Sequence, residues 1–446
     1  MINKISNFFL FFILILPATL ITGPAIPDIT ITLSIIFYFT IYFLKEKKEI
    51  TTNNLFLISI FFWVYLVFIS FFAENSYLSF KDALIFIRIL LIPILIFLLI
   101  KKNEKLLFNF ILVIFLTVIF VAIDTLYQFS QYNAEIGFGP DLLGFYSNWY
   151  GRLTGPFKDE LIPGAYLSKF TLIGLIYIFI NFKNNITQNF LAIFYLVFVG
   201  VTIFITGERM AIATYLMANG ILFLFYNTKR AVFLSSIILI IIISFIITKI
   251  HPFYNDFNII SSTPYHQGLQ IEKSYICNED LVEKNLGNKN CKKIINLQPE
   301  VSQILQNFSV SAYGEIYRLS IMIFKDHLYA GAGLNNFTYL CKNDERYKKQ
   351  IKNYDCPSHP HNIYIQFLVE TGIFGFLFFI FYLLCIFSFI FKNNFNKYSL
   401  IGISSLVILF WPIMSTGSLL KNWNGISTFF IIGLSLAVSK LYKKSN

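Results

Sequence analysis

The stretch KDALIFIRILLIPILIFLLIKKNEK, residues 81–105, decides what kind of chain this is. Residues 83–100 are apolar apart from Arg88, and a cationic cluster closes the run at 101–105. A helix needs about 20 consecutive apolar residues to cross the hydrocarbon layer of a bilayer. The same pattern recurs along the chain. Spans are predicted near 5–23, 27–44, 55–73, 83–100, 106–129, 163–181, 190–206, 210–226, 231–250, 363–391, 398–416 and 424–441. The 446 residues are 56% hydrophobic and 13% charged, about half the charged share of a soluble domain. A membrane barrel would instead alternate in segments of about ten residues. The reading is an all-α polytopic membrane protein with about 12 transmembrane helices.

The net charge of +11 raises the question of nucleic acid, and its distribution answers it. Lys4, KEKKE at 45–49, KKNEK at 101–105, Lys183, Lys229, Arg230, Lys392, Lys397 and the tail Lys440, Lys443 and Lys444 contribute 15 Lys/Arg to one set of short connections. The opposite set holds three: Lys81, Arg209 and Lys421. That asymmetry is the positive-inside pattern, which places both termini in the cytoplasm. The charge is thus a topology signal, and no nucleic-acid partner is expected. The first span reads as a retained helix rather than a cleaved signal, because it lacks an A-x-A cleavage site.

Residues 1–250 carry helices 1–9, with a periplasmic loop at 130–162. Residues 251–362 form one large periplasmic loop domain between helices 9 and 10, and 363–446 carry helices 10–12. The large loop balances 12 Lys/Arg against 11 Asp/Glu. Within it SAYGEIYRLSIMIFKDHLY (311–329) has the spacing of an amphipathic helix. The earlier half, with NEDLVEKNLGNKNCKK, reads as polar loop and short helix. Four cysteines lie in this loop, Cys277, Cys291, Cys341 and Cys356. An even count in an oxidising compartment suggests two disulfides. Three pairings are possible; the neighbours 277–291 and 341–356 are expected because each closes a short loop. Cys385, inside a span, reads as packing.

Ionisable residues near a membrane interior are functional candidates. TGERMA puts Glu208 and Arg209 in a short turn between two spans. Arg152 precedes another span, Arg318 rides the amphipathic helix, and His361 and Asn362 open the tenth span. Arg88 lies in the outer half of the fourth, and Glu370 lies deeper in the tenth. Arginine forks grip phosphate oxygens in pairs, and a histidine trades protons at neutral pH. Together they suit transfer from a phosphorylated lipid. Structural readings compete: Arg209 as an interfacial anchor, Arg318 and Arg88 as ion-pair partners, Asn362 as a helix cap. A metal at His359 and His361 lacks further ligands at suitable spacing. GAGLNN (331–336) reads as a tight turn after a helix, not a dinucleotide fingerprint.

At these residues the chain resembles the O-antigen ligase and polymerase superfamily of bacterial envelope glycosyltransferases. The likeness rests on HPHNIYIQFLVETGIFG (359–375), TGERMA (206–211), EIYRLSIMIFKDHLYAGAGLNNF (315–337) and RLTGPFKDELIPGAYLSK (152–169). Leu328 stands where the family has a proline. The resemblance implies a metal-independent, cofactor-free glycan transfer on the periplasmic face. The donor would be a glycan on undecaprenyl diphosphate and the acceptor the lipid A core, as in an O-antigen ligase. A polymerase or a protein O-oligosaccharyltransferase using the same donor is the alternative, and a transporter is a different class that the single large loop disfavours. The catalytic set implied is His361, Arg209 and Arg318. Arg152, Arg88, Asn362, Glu208, His327 and His359 complete a diphosphate- and glycan-binding set among membrane lipids. Whether His361 is base or diphosphate ligand stays open, as do the sugars and the oligomeric state.

Overall fold

The computed structural model describes residues 2–441 apart from 46–52, 134–136, 150, 256, 266–267, 276–293, 298–300, 353–354, 393–395, 414 and 416. Helices occupy the apolar stretches: α1 (Ile2–Leu14), α2 (Ala25–Lys45), α3 (Asn54–Ile69), α4 (Ser76–Lys102), α5 (Lys105–Ser130), α6 (Pro163–Asn181), α7 (Asn185–Ile205), α8 (Arg209–Phe225) and α9 (Arg230–Ile250). After the large connection come α11 (Ile363–Lys392), α12 (Lys397–Phe410) and α13 (Asn422–Leu441), and within it lies α10 (Ala312–Asp326). Among the described residues, seven helical stretches are long and apolar enough to cross a membrane: 54–72, α4, α5, α6, α7, 227–250 and α11. Lys4–Leu14 and Leu16–Thr22 form one further candidate, bent by 55°. Ala25–Ile41, α8 and α12 are apolar but shorter.

The stretch that decided the fold is the centre of the bundle. Every residue of α4 from Ile89 to Ile100 is buried, which is why it is apolar all round rather than on one face. α13 packs on it closely because its residues there are small. A Cβ at Gly433 would stand 2.9 Å from the Ile96 Cβ, the close approach that small residues allow between membrane helices.

A second core lies in the 251–362 connection. The apolar face of α10, Ile316, Leu319 and Ile323, packs with Phe337, Leu340 and Tyr347. Ser311 caps α10 by accepting the Gly314 N–H at 3.2 Å, as the amphipathic reading requires. The first half of the connection departs from the expected loop and short helix. Strands Phe257–Tyr265, Gly268–Tyr275 and Ile294–Leu297 form an antiparallel sheet in that order. The Ile, Thr and aromatic residues of FNIISSTPY favour a pleated strand, a tendency masked by its serines and asparagine. The stretch 278–293 itself lies outside the described residues. The all-α description therefore needs this small sheet added.

α11 is broken at Gly372, whose φ is 66°. A break in a membrane helix strands backbone groups that lipid cannot satisfy, and the GAG turn supplies the partners. Ala332 N donates to Val369 O at 2.9 Å, Gly333 N to Glu370 O at 3.0 Å, and Ile373 N to Leu328 O at 2.9 Å. A Cβ on Gly331 would lie 2.4 Å from the backbone of residues 370–372, so both glycines of the contact are required by space as well as by φ.

Candidate functional site

The turn from α7 to α8 is Thr206, Gly207, Glu208 and Arg209, with Gly207 at φ 73°. Glu208 is held from the neighbouring helix. Its carboxylate accepts the Gly164 N–H at 2.7 Å and the Ala165 N–H at 2.9 Å. These are unpaired donors of the first turn of α6, at the positive end of the helix dipole. Burial pushes the Glu208 carboxyl up to about 7, against the pull of those N–H groups, Arg152 and Lys169. Arg152 donates from Nε to Thr206 O at 3.2 Å. Burial lowers its pKa, Glu208 raises it and Arg209 lowers it again. Lys169, one and a half turns into α6, is buried over the Trp423 ring, 5.0 Å from its centroid, and donates to Ser427 Oγ at 3.2 Å and to Asn424 Oδ1. Arg152 and Lys169 thus stand near one carboxylate, with Arg209 close enough to Arg152 to act on it.

His361 approaches from the other core. Its φ of 55° is left-handed, and it sits one residue before a helix cap. Asn362 Oδ1 accepts the N–H groups of Tyr364 and Ile365 at 3.0 and 3.1 Å, while its Nδ2 donates to Pro412 O at 2.8 Å. Burial lowers the pKa of His361, so the imidazole is neutral at pH 7 and free to take a proton. The His359 ring lies 4.1 Å from it, centroid to centroid, and His359 Nδ1 is 2.8 Å from Ser358 Oγ. The edge of Tyr313 meets His361 at 6.1 Å and 89°. Tyr313 also interacts electrostatically with Arg152 and donates to Ser415 Oγ at 2.9 Å. Tyr313 therefore joins the histidine pair to the cationic turn. The Cys341–Cys356 disulfide fixes the chain just before His359. Cys277 and Cys291 lie outside the described residues.

The remaining candidates fall elsewhere. Arg318 is 45% exposed, donates to Ser309 O at 2.6 Å and lies 3.9 Å from the buried Glu315 carboxylate. Five residues separate it from Tyr313, so it points about 140° around α10 from that side chain. Arg88 pairs with Asp28 and donates to Thr32 Oγ1 at 2.8 Å and Asn422 Oδ1 at 3.0 Å. His327 Nε2 is 3.8 Å from Glu74 Oε1, beside the GAG turn.

Sequence reasoning missed three participants. Lys169 carried a usable signal, an ammonium inside an apolar span. Tyr313 carried none, being one of 26 tyrosines. The third is the stretch 411–424, the connection after α12 together with the first residues of α13. It supplies Pro412 to Asn362, Ser415 to Tyr313, Ser418 to Gln366, Asn422 to Arg88 and Asn424 to Lys169.

Compared with known families, residues 194–380 match the family described as O-Antigen ligase. The match takes in the 206–209 turn, α10 and the 359–362 histidines; Arg152, Lys169 and 411–424 lie outside it. No curated protein matches the chain.

Proposed function

We propose, from the O-antigen ligase domain at residues 194–380, that this chain is a membrane glycosyltransferase of the O-antigen ligase type. It moves a glycan from undecaprenyl diphosphate to the lipid A-core oligosaccharide on the periplasmic face. The observation that carries the reading is the cationic turn, where Arg152 and Lys169 stand near Glu208 and Arg209 acts on Arg152, joined through Tyr313 to His361.

The division of labour follows from charge. The diphosphate is the leaving group, and its developing negative charge is met by Arg152 and Arg209. Fixed cations in a partly dry site stabilise such charge strongly. Arg318, half-exposed on α10, reaches the same anion by swinging from Ser309. The acceptor hydroxyl oxygen attacks the anomeric carbon as the bond to the diphosphate oxygen breaks. His361 takes the hydroxyl proton and returns it to the diphosphate or to water. Glu208 is a positioning residue, because both its oxygens are spent on the α6 N-terminus.

The test is a deletion strain analysed for lipopolysaccharide. Polymer missing from lipid A, with long polymer accumulating on the lipid carrier, is the expected result. A single repeat still attached to the core, without chain extension, would replace ligase by polymerase. His361→Ala and Arg209→Ala should each abolish complementation while the protein still inserts into the membrane; full activity in both refutes the site.

A further inference from the structure

The loop from Asp141 to Trp149 presents an exposed apolar patch outside any predicted span. Leu142, Leu143, Phe145, Tyr146 and Trp149 are each between 36% and 57% exposed. Apolar side chains left in water forfeit the gain of burial, and exposed apolar patches mark contact surfaces.

The loop is built rather than loose. Asp141 Oδ1 accepts the N–H groups of Leu143 at 2.9 Å and Phe145 at 2.7 Å. Asp141 N donates to Phe145 O at 2.9 Å, with Gly144 turning at φ 86°. Trp149 Nε1 donates to Asp159 O at 3.2 Å. Its depth is fixed by one further bond: Leu142 N donates to Asp124 Oδ1 at 3.1 Å. Asp124 lies six residues before the end of α5 at Ser130, about 9 Å back along the helix axis. The loop has therefore folded down beside the span instead of continuing away from it. At that level α5 exposes Leu116, Phe120, Ile123 and Tyr127, a helical stripe facing lipid. Ile123 of this stripe directly precedes Asp124, the residue that anchors the loop. Its far end then turns straight into the candidate site, since Arg152 N donates to Trp149 O at 3.0 Å.

We propose that Asp141–Trp149 is a re-entrant interfacial loop seated in the lipid bilayer, and that it sets Arg152 at the depth of the lipid headgroups. The occupant is lipid because the patch is tied to Asp124, inside a helix long and apolar enough to cross a membrane. Trp and Tyr at its outer end suit the headgroup boundary. The proposal is independent of which glycan, if any, the chain transfers.

Spin labels test it on the full chain reconstituted in phospholipid nanodiscs. Leu143→Cys is labelled in a Cys385→Ala background and compared with Phe120→Cys, facing lipid, and Lys349→Cys, facing water. The expected result is that position 143 behaves like 120, relaxed by oxygen and shielded from a water-soluble nickel chelate. A response like that of 349 overturns the proposal and returns the patch to a protein partner. If the labelled variants do not fold, the fluorescence lost in Trp149→Phe relative to the unmodified chain is read instead. Quenching of that component by brominated acyl chains supports the loop's place in lipid; quenching by aqueous iodide alone rejects it.

Discussion

Glu208 is partly buried, with both carboxylate oxygens on the N–H groups of Gly164 and Ala165, and Arg152 and Lys169 stand near it. The N–H pair and the cations favour its ionised form, yet burial outweighs them and raises its pKa from 4.5 to about 7. The folded state then holds a proton that the unfolded chain has already lost. Stability falls as pH rises from 4.5 through about 7, by up to about 3 kcal/mol at 1.36 kcal/mol per unit. Glu208→Gln removes the titration. The melting temperature of the unmodified chain should therefore drop relative to the Gln variant as pH goes from 5 to 8. A difference that is constant or grows over that range contradicts the assignment. Arg209 and His361 stood out as candidates in the sequence because charge at a span boundary is rare enough to notice. Glu208 could be found but not understood, since its role depends on the helix end brought against it from 44 residues away.

The break in α11 shows how one element's weakness is made good by another. Gly372 and Gly331 face each other across a backbone contact so close that a Cβ on either would lie 2.1–2.4 Å from main-chain atoms. Both carry positive φ, 66° and 76°. Gly331→Ala or Gly372→Ala combines backbone strain with overpacking, together about 2–4 kcal/mol or more. Gly220 in α8 is the control, because a Cβ there meets nothing within 4 Å and alanine in a helix gains up to about 1 kcal/mol. Thermal unfolding of the detergent-solubilised variants should show a large drop for 331 and 372 and none for 220. Equal behaviour would mean the contact is not needed. The sequence displayed both motifs, a tight GAG turn and an E-x-G within an apolar run. It did not display that they are halves of one joint, because hydrophobic periodicity is local and the joint spans 41 positions (331 to 372). Residues 411–424 were illegible for the same reason: Pro412 and Ser415 fell in one predicted span and Asn424 in the next, and their partners on α6, α10 and α11 emerge only once those elements are placed.

At the scale of the whole molecule the chain has two large cores of different origin. The apolar spans share one cluster centred on α4, and α10 with the segments up to Ile351 forms another that reaches the bundle through Val369. Composition made the first plain and the second only faintly visible, since one amphipathic helix and a pair of cysteines were its whole signature. The candidate site lies where they meet, with Arg152 and Glu208 on the bundle side and Tyr313, on α10, beside the histidines. The Cys341–Cys356 disulfide, 15 residues apart, then belongs to the smaller core alone. Closing a loop of that length stabilises by about 3 kcal/mol, which is large for a small unit and irrelevant to the apolar bundle. Cys356→Ser should therefore open the second core selectively. Limited trypsin digestion would cut at Lys342, Arg346, Lys348 and Lys349, which cluster around the disulfide, before any loss of the helical signal from the bundle. Transfer activity should fall in parallel with that cleavage, because the freed chain carries His359 and His361 away from Tyr313. If the bundle instead melts together with the loop, the two cores are one cooperative unit, and the site cannot be an interface between independently stable parts.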